Sequence, residues 1–134
     1  MSPTMKTNDY LLRIERYSHH DRDDWGMESD SYACYDADLA GLQAGDTLYP
    51  TEYRGEDLAR RRDPQTYLEC LQVAENRLTF RFHFLENYRG VEITVGLDAP
   101  ASAGGSTDRS SARYTVSLVS KEKYIPMPGY INYQ

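Results

Sequence analysis

No apolar run in this 134-residue chain approaches the roughly 20 residues that a membrane-spanning helix needs, so no membrane contact is expected. Met1–Tyr10 has no apolar stretch of the kind that opens a secretory signal. Cysteine is scarce. Cys34 and Cys70 form no CxxC and no Cys/His zinc spacing, and each falls in a strand-like segment. Two buried thiols in a cytoplasmic protein are therefore the plain reading. GxSxG, HExxH, P-loop and GxGxxG signatures are all missing, and Gly104-Gly105-Ser106-Thr107 lacks the lysine of a phosphate loop. A basic surplus is missing too: 15 Lys+Arg stand against 21 Asp+Glu, a net charge of −6. That balance argues against nucleic acid as a partner. Leu, Ile, Val and Phe together make only 24 of the 134 residues, a fraction that on its own would point to disorder. Twelve tyrosines and one tryptophan restore the missing bulk, so a folded domain with an aromatic, partly polar core is expected.

The pattern along the chain is that of short strands. Asn8 to Tyr17 alternates, with Leu12 and Ile14 on one side and Arg13 and Glu15 on the other. His19 to Asp30 has no period and reads as a loop. Ser31 to Asp36 is a second strand, with Tyr32 and Cys34 expected inward. Asp36 to Gly45 has a helix's Asp cap, Leu39 and Leu42 at i,i+3 and a closing glycine. Thr47 to Tyr53 reads as an edge strand because of Pro50. Glu56 to Asp63 opens with acids, closes with Arg60, Arg61 and Arg62, and precedes Pro64, which fits a second short helix.

Three strands follow at Thr66–Ala74, Arg77–Leu85 and Val91–Leu97, an antiparallel meander. Leu78, Phe80, Phe82 and Phe84 share one of its faces, with Val91, Ile93, Val95 and Leu97 repeating the pattern. Asp98 to Ser111 is small and polar and reads as a flexible loop. Arg113 to Ser120 is the last strand, with Tyr114, Val116 and Leu118 inward. The whole predicts a mainly β, single-domain antiparallel β-sandwich or small barrel of about seven strands with two short helices. Residues 1–8 are expected to be disordered, 9–120 to form the domain, and 121–134 to be an extended Pro/Tyr-rich tail.

Charge is unevenly placed. Residues 21–38 hold seven acids (Asp21, Asp23, Asp24, Glu28, Asp30, Asp36 and Asp38) against Arg22 alone. Such a cluster repels itself and steers cationic partners. As an EF-hand the segment fails: with Asp21 first, Trp25 takes the fifth position and Tyr32 the twelfth, where a bidentate Glu belongs. His19 and His20 are adjacent and point apart in a strand, so no metal and no cofactor is expected. Trp25, the lone tryptophan, sits among the acids and suits an anchor for an arginine or lysine. Arg60–Arg62 has acidic neighbours and is no phosphate track.

Absent catalytic signatures and a clustered negative charge favour a non-enzymatic binding module over an enzyme. The first expectation is an inhibitor-like or immunity-like protein that neutralises a basic toxin or nuclease through Asp21–Asp38 and Trp25. The alternative is a small-molecule or carbohydrate-binding β-barrel, with or without catalysis, with Arg81, His83 and Tyr88 at its ligand site. A third reading is a structural subunit that forms a homo-oligomer through the tyrosine-rich tail, whose rings could cover an apolar patch in cis or on a neighbouring chain.

Overall fold

The computed structural model describes residues 6–20, 29–54, 59–83, 91–106, 110–125 and 130–133. Alternation in the early segment produces the first long strand. After a 3-10 turn at Thr7–Asp9, β1 (Tyr10–His20) runs antiparallel to β2 (Ser29–Asp38) and to β10 (Ser110–Ser120). On its even face Leu12 lies between Ala37 and Leu118, and Ile14 between Tyr35 and Val116. All six are buried. β4 (Thr51–Arg54) and β5 (Ala59–Arg62) extend this sheet beyond β2, and β9 (Ala101–Ser106) extends it beyond β10. The last strand, β11 (Tyr130–Tyr133), pairs with Ser29–Tyr32 of β2, beside the stretch that β4 occupies.

The meander forms the second sheet. Its order is β3 (Thr47–Leu48), β6 (Tyr67–Val73), β7 (Arg77–His83) and β8 (Glu92–Gly96). Leu78, Phe80 and Phe82 are fully buried on one face, with Leu68, Cys70, Ile93 and Val95 beside them. These residues and the even face of β1 belong to one hydrophobic cluster. Phe82 meets Tyr114 edge-on at 5.9 Å, joining the sheets directly. The two strand orders end on β5 and β9 and on β3 and β8, so the fold is two antiparallel sheets and not a closed barrel.

Five expectations about the elements need correction. The expected loop His19–Asp30 is strand at both ends, because β1 runs on through His20 and β2 begins at Ser29, pairing His20 with Ser29 and His19 with Asp30. No helix covers Asp36–Gly45: Asp36 to Asp38 continue β2, and tight turns follow. The expected cap, Asp36, lies inside β2, and other aspartates close the turns: Asp38 Oδ1 accepts the Ala40 N–H at 2.9 Å and Asp46 Oδ2 the Gln43 N–H at 2.8 Å. Residues 59–62 are strand β5, with Thr51 opposite Arg62, while 55–58 lie outside the described residues. Thr47 to Tyr53 is not one strand: Pro50, buried and without an N–H, separates β3 in one sheet from β4 in the other. Ala101–Ser106 is a strand because β10 offers it a ladder, although its small residues carry no pattern of their own.

Gly45 closes the turn after β2 at a φ of +96°. Its N–H donates to the Cys70 carbonyl at 2.7 Å, which ties the turn to β6. Gly45→Ala should therefore lower stability by about 1 kcal/mol or more, through backbone strain alone. No atom stands within 4 Å of the added methyl, so crowding contributes nothing. Chemical denaturation checks it, and an unchanged midpoint would refute it.

Candidate functional site

Acidic residues of β2 alternate with core residues. Asp30, Tyr32, Cys34, Asp36 and Asp38 share the face opposite Ala33, Tyr35 and Ala37. Tyr32 and Cys34 therefore point away from the main core, contrary to their expected inward placement. They are buried all the same, at 5 % and 0 % exposure, because a second, polar layer covers the outer face.

That layer has two halves. Near the middle of β1, Glu15 Oε2 accepts hydroxyl hydrogens from Tyr17 and Tyr32, each at 3.0 Å, and lies 3.5 Å from Arg13 Nη2. The Tyr17 and Tyr32 rings are 5.0 Å apart. Burial pushes the Tyr32 hydroxyl well above the usual phenol range. Toward the end of β2, the segment after β10 folds back. Tyr124 places its hydroxyl 3.4 Å from Cys34 Sγ and hydrogen-bonds Asp36, and Tyr53 hydrogen-bonds the same carboxyl from β4. Half-burial raises the Asp36 carboxyl above the ordinary carboxylate range, although the two tyrosine hydroxyls and nearby Arg60 pull the other way. Burial likewise raises both tyrosines.

Past Asp36 the face opens into a groove of about 550 Å³. Asp36, Asp38, Tyr49, Tyr53, Tyr124 and Arg62 give it its chemistry. Asp38 is 61 % exposed in its side chain and pairs with Lys121 Nζ at 2.8 Å. That ammonium and the Ala40 N–H hold the Asp38 carboxyl below its usual range. A second groove, about 410 Å³, lies at the other end of β2 between Tyr17, His19, Asp30 and Arg113. There Asp30 Oδ1 is 2.5 Å from His19 Nδ1, its direct cross-strand neighbour.

Of the residues expected to meet a partner, Asp30, Asp36 and Asp38 are thus aligned on one face of one strand. Each is answered within the chain, by His19, by Tyr53 and Tyr124, and by Lys121. Asp21, Asp23, Asp24, Trp25 and Glu28 lie outside the described residues. Among the described residues, no three His, Cys, Asp or Glu gather as a metal site, and no helix is long and apolar enough to cross a membrane.

The alternative ligand residues sit elsewhere. Arg81 and His83 are on the outer face of the smaller sheet, and Tyr88 lies outside the described residues. His83 stacks on Tyr67 at 4.5 Å and meets Glu69 Oε1 at 2.5 Å, while Arg81 pairs with Glu92 at 3.6 Å. Neither residue lines either groove. No thiol–imidazole pair forms with His83: Cys70 faces the core side of that sheet, and Cys34 belongs to the other sheet. Both thiols are free and buried.

Sequence reasoning missed Tyr49, Tyr53 and Arg62 as groove residues and Lys121 as the cation at the rim. Asp36 and Asp38 were expected to meet a partner, and Tyr124 was signalled with the other tail tyrosines as a ring able to cover a surface in cis. Compared with known protein families, curated proteins and solved structures, the chain matches none.

Proposed function

We propose that the chain is a non-enzymatic binding module that docks a basic protein through the outer face of β2. The observation that supports this reading is the alignment of Asp30, Asp36 and Asp38 on that face, ending in a groove of carboxylates and tyrosine rings. Carboxylate plus aromatic face is the environment that holds a guanidinium or ammonium group. The internal partners of Asp30 and Asp38 leave both half-exposed or more. Exposed ion pairs of this kind contribute at most about 1 kcal/mol, so they exchange for an incoming cation at little cost. Asp36, half-buried and held by two hydroxyls, acts as a fixed background charge.

Stacked as a β-sandwich, the two sheets supply a rigid frame. A complex of the inhibitor or immunity kind, covering the basic cleft of a toxin or nuclease, would bury roughly 600–800 Å² on each side. Two free, buried thiols fit a cytoplasmic setting. The groove also lies within the roughly 300–1,000 Å³ range of small-molecule sites, which keeps a polar small ligand as the second reading.

The test is titration with an arginine-rich peptide and a glutamate-rich control. The arginine peptide should bind and weaken at least about tenfold between 50 and 500 mM salt, since exposed charges are screened beyond roughly 8 Å at physiological ionic strength. Asp38→Lys should weaken it further with the melting curve little changed. Equal binding of both peptides, or indifference to salt, would overturn the proposal.

A further inference from the structure

The acidic end of β2 already holds a cation of its own. Lys121 sits in the turn that follows β10, and its ammonium is the counter-ion of Asp38. The turn is pinned by its backbone: the Lys121 N–H donates to the Asp9 carbonyl at 3.0 Å, and the Lys123 N–H to the Ser120 carbonyl at 3.0 Å. Three residues on, Tyr124 lies over Cys34 and Asp36 as one wall of the groove. The same short segment thus supplies both the resident cation and an aromatic wall. Lys121 itself is not part of the lining; it reaches Asp38 from the rim.

The lining suits a guanidinium better than an ammonium. Three tyrosine rings, Tyr49, Tyr53 and Tyr124, border the space. Planar guanidinium stacks on such rings and pairs with a carboxylate through two parallel N–H bonds, neither of which a lysine ammonium can do as well. Inside the groove two carboxylates stand against one guanidinium, Arg62, which directs Nη2 at Thr51 Oγ1 at 3.5 Å. Asp36 is also short of compensation, because burial disfavours its charge more than its partners favour it. A cation entering beside it gains from that deficit.

We infer that the groove is an arginine socket, in which a guanidinium of the basic partner displaces Lys121 as the counter-ion of Asp38. The inference rests on the docking role proposed above and adds its ligand chemistry and its internal competitor. Lys121 then lowers the affinity of the empty socket and restores the Asp38 pair whenever the partner leaves.

N-acetyl-arginine methylamide and its lysine counterpart, titrated into the full-length chain by NMR, provide the test. The arginine probe should saturate at groove residues and bind more tightly than the lysine probe. Lys121→Gln should bind it roughly two- to fivefold more tightly, the release of one exposed ion pair. Asp38→Asn should weaken it. Lys123→Gln makes the same change of charge at an exposed neighbour and should leave affinity as it was, so a gain confined to Lys121→Gln separates competition from bulk charge. If the arginine-rich peptide binds with salt dependence but Lys121→Gln is no tighter than wild type, the socket is refuted while the docking role stands. If neither peptide nor probe binds, both fall.

Discussion

Replacing Phe82 with alanine should remove about 3–5 kcal/mol of unfolding free energy, as fully buried phenylalanines do. A domain of this kind has only about 5–15 kcal/mol in total, so the variant should be close to unfolding at room temperature. Phe82 is 0 % exposed and touches Tyr114 of the other sheet in a T-shaped contact. Its loss therefore leaves a cavity between the sheets as well as removing apolar area from the core. Urea denaturation should show a much lower midpoint at a similar slope. Thr79→Ala, on the outer face of the same strand, removes only an exposed hydroxyl contact with Thr94 at 3.1 Å and should cost under about 0.5 kcal/mol. Similar midpoints for the two variants would mean that the sheets do not share a core.

Asp36 gives the second large effect, and here two substitutions should move in opposite directions. Asp36→Ala leaves the Tyr53 and Tyr124 hydroxyls, both raised by burial, without their acceptor. A buried polar group stripped of its partner costs about 1–3 kcal/mol. Asp36→Asn keeps an acceptor and removes a charge that burial disfavours, so it should match or exceed the wild type at pH 7. The sign follows from linkage. A carboxyl whose folded-state pKa is raised favours the fold when protonated, and that contribution is lost as pH rises through the raised value. The advantage of Asp36→Asn over wild type should accordingly shrink as the solution is acidified through that range. Thermal melts at pH 7 and at mildly acidic pH test this. A destabilised Asn variant would show that the Asp36 charge is fully compensated.

Period-two alternation was legible wherever a strand has one dry face. Leu12 and Ile14, Leu78 to Phe82, and Ile93 and Val95 all lie where their spacing put them. It failed on β2, because Tyr32, Ala33, Cys34 and Tyr35 are buried on both faces and no alternation survives to be read. The local signals for a helix misled: Asp36, the expected cap, is in β2, while Asp38 and Gly45 mark turns. β5 and β9 owe their strand state to hairpin pairing with their chain neighbours β4 and β10, which neither arginines nor small polar residues announce. The groove was illegible because its walls come from distant parts of the chain. Tyr49 follows β3 and Tyr53 lies in β4, while Tyr124 and Lys121 come from the segment after β10 some seventy residues later; only the pairing of β2 with β4 and the fold-back after β10 bring them to Asp36 and Asp38. What composition did show was the sign of the charge and its concentration in residues 21–38, of which Asp30, Asp36 and Asp38 lie on β2.

The most direct test of the docking face is a map of amide chemical-shift changes as an arginine-rich peptide is titrated into the labelled chain. The largest changes should fall on Asp36 to Asp38, Thr51 to Tyr53 and Lys121 to Tyr124, and should fade as salt is raised. Changes centred instead on Arg81 and His83 of the smaller sheet, or spread evenly over the surface, would contradict the assignment of this face to a cationic partner.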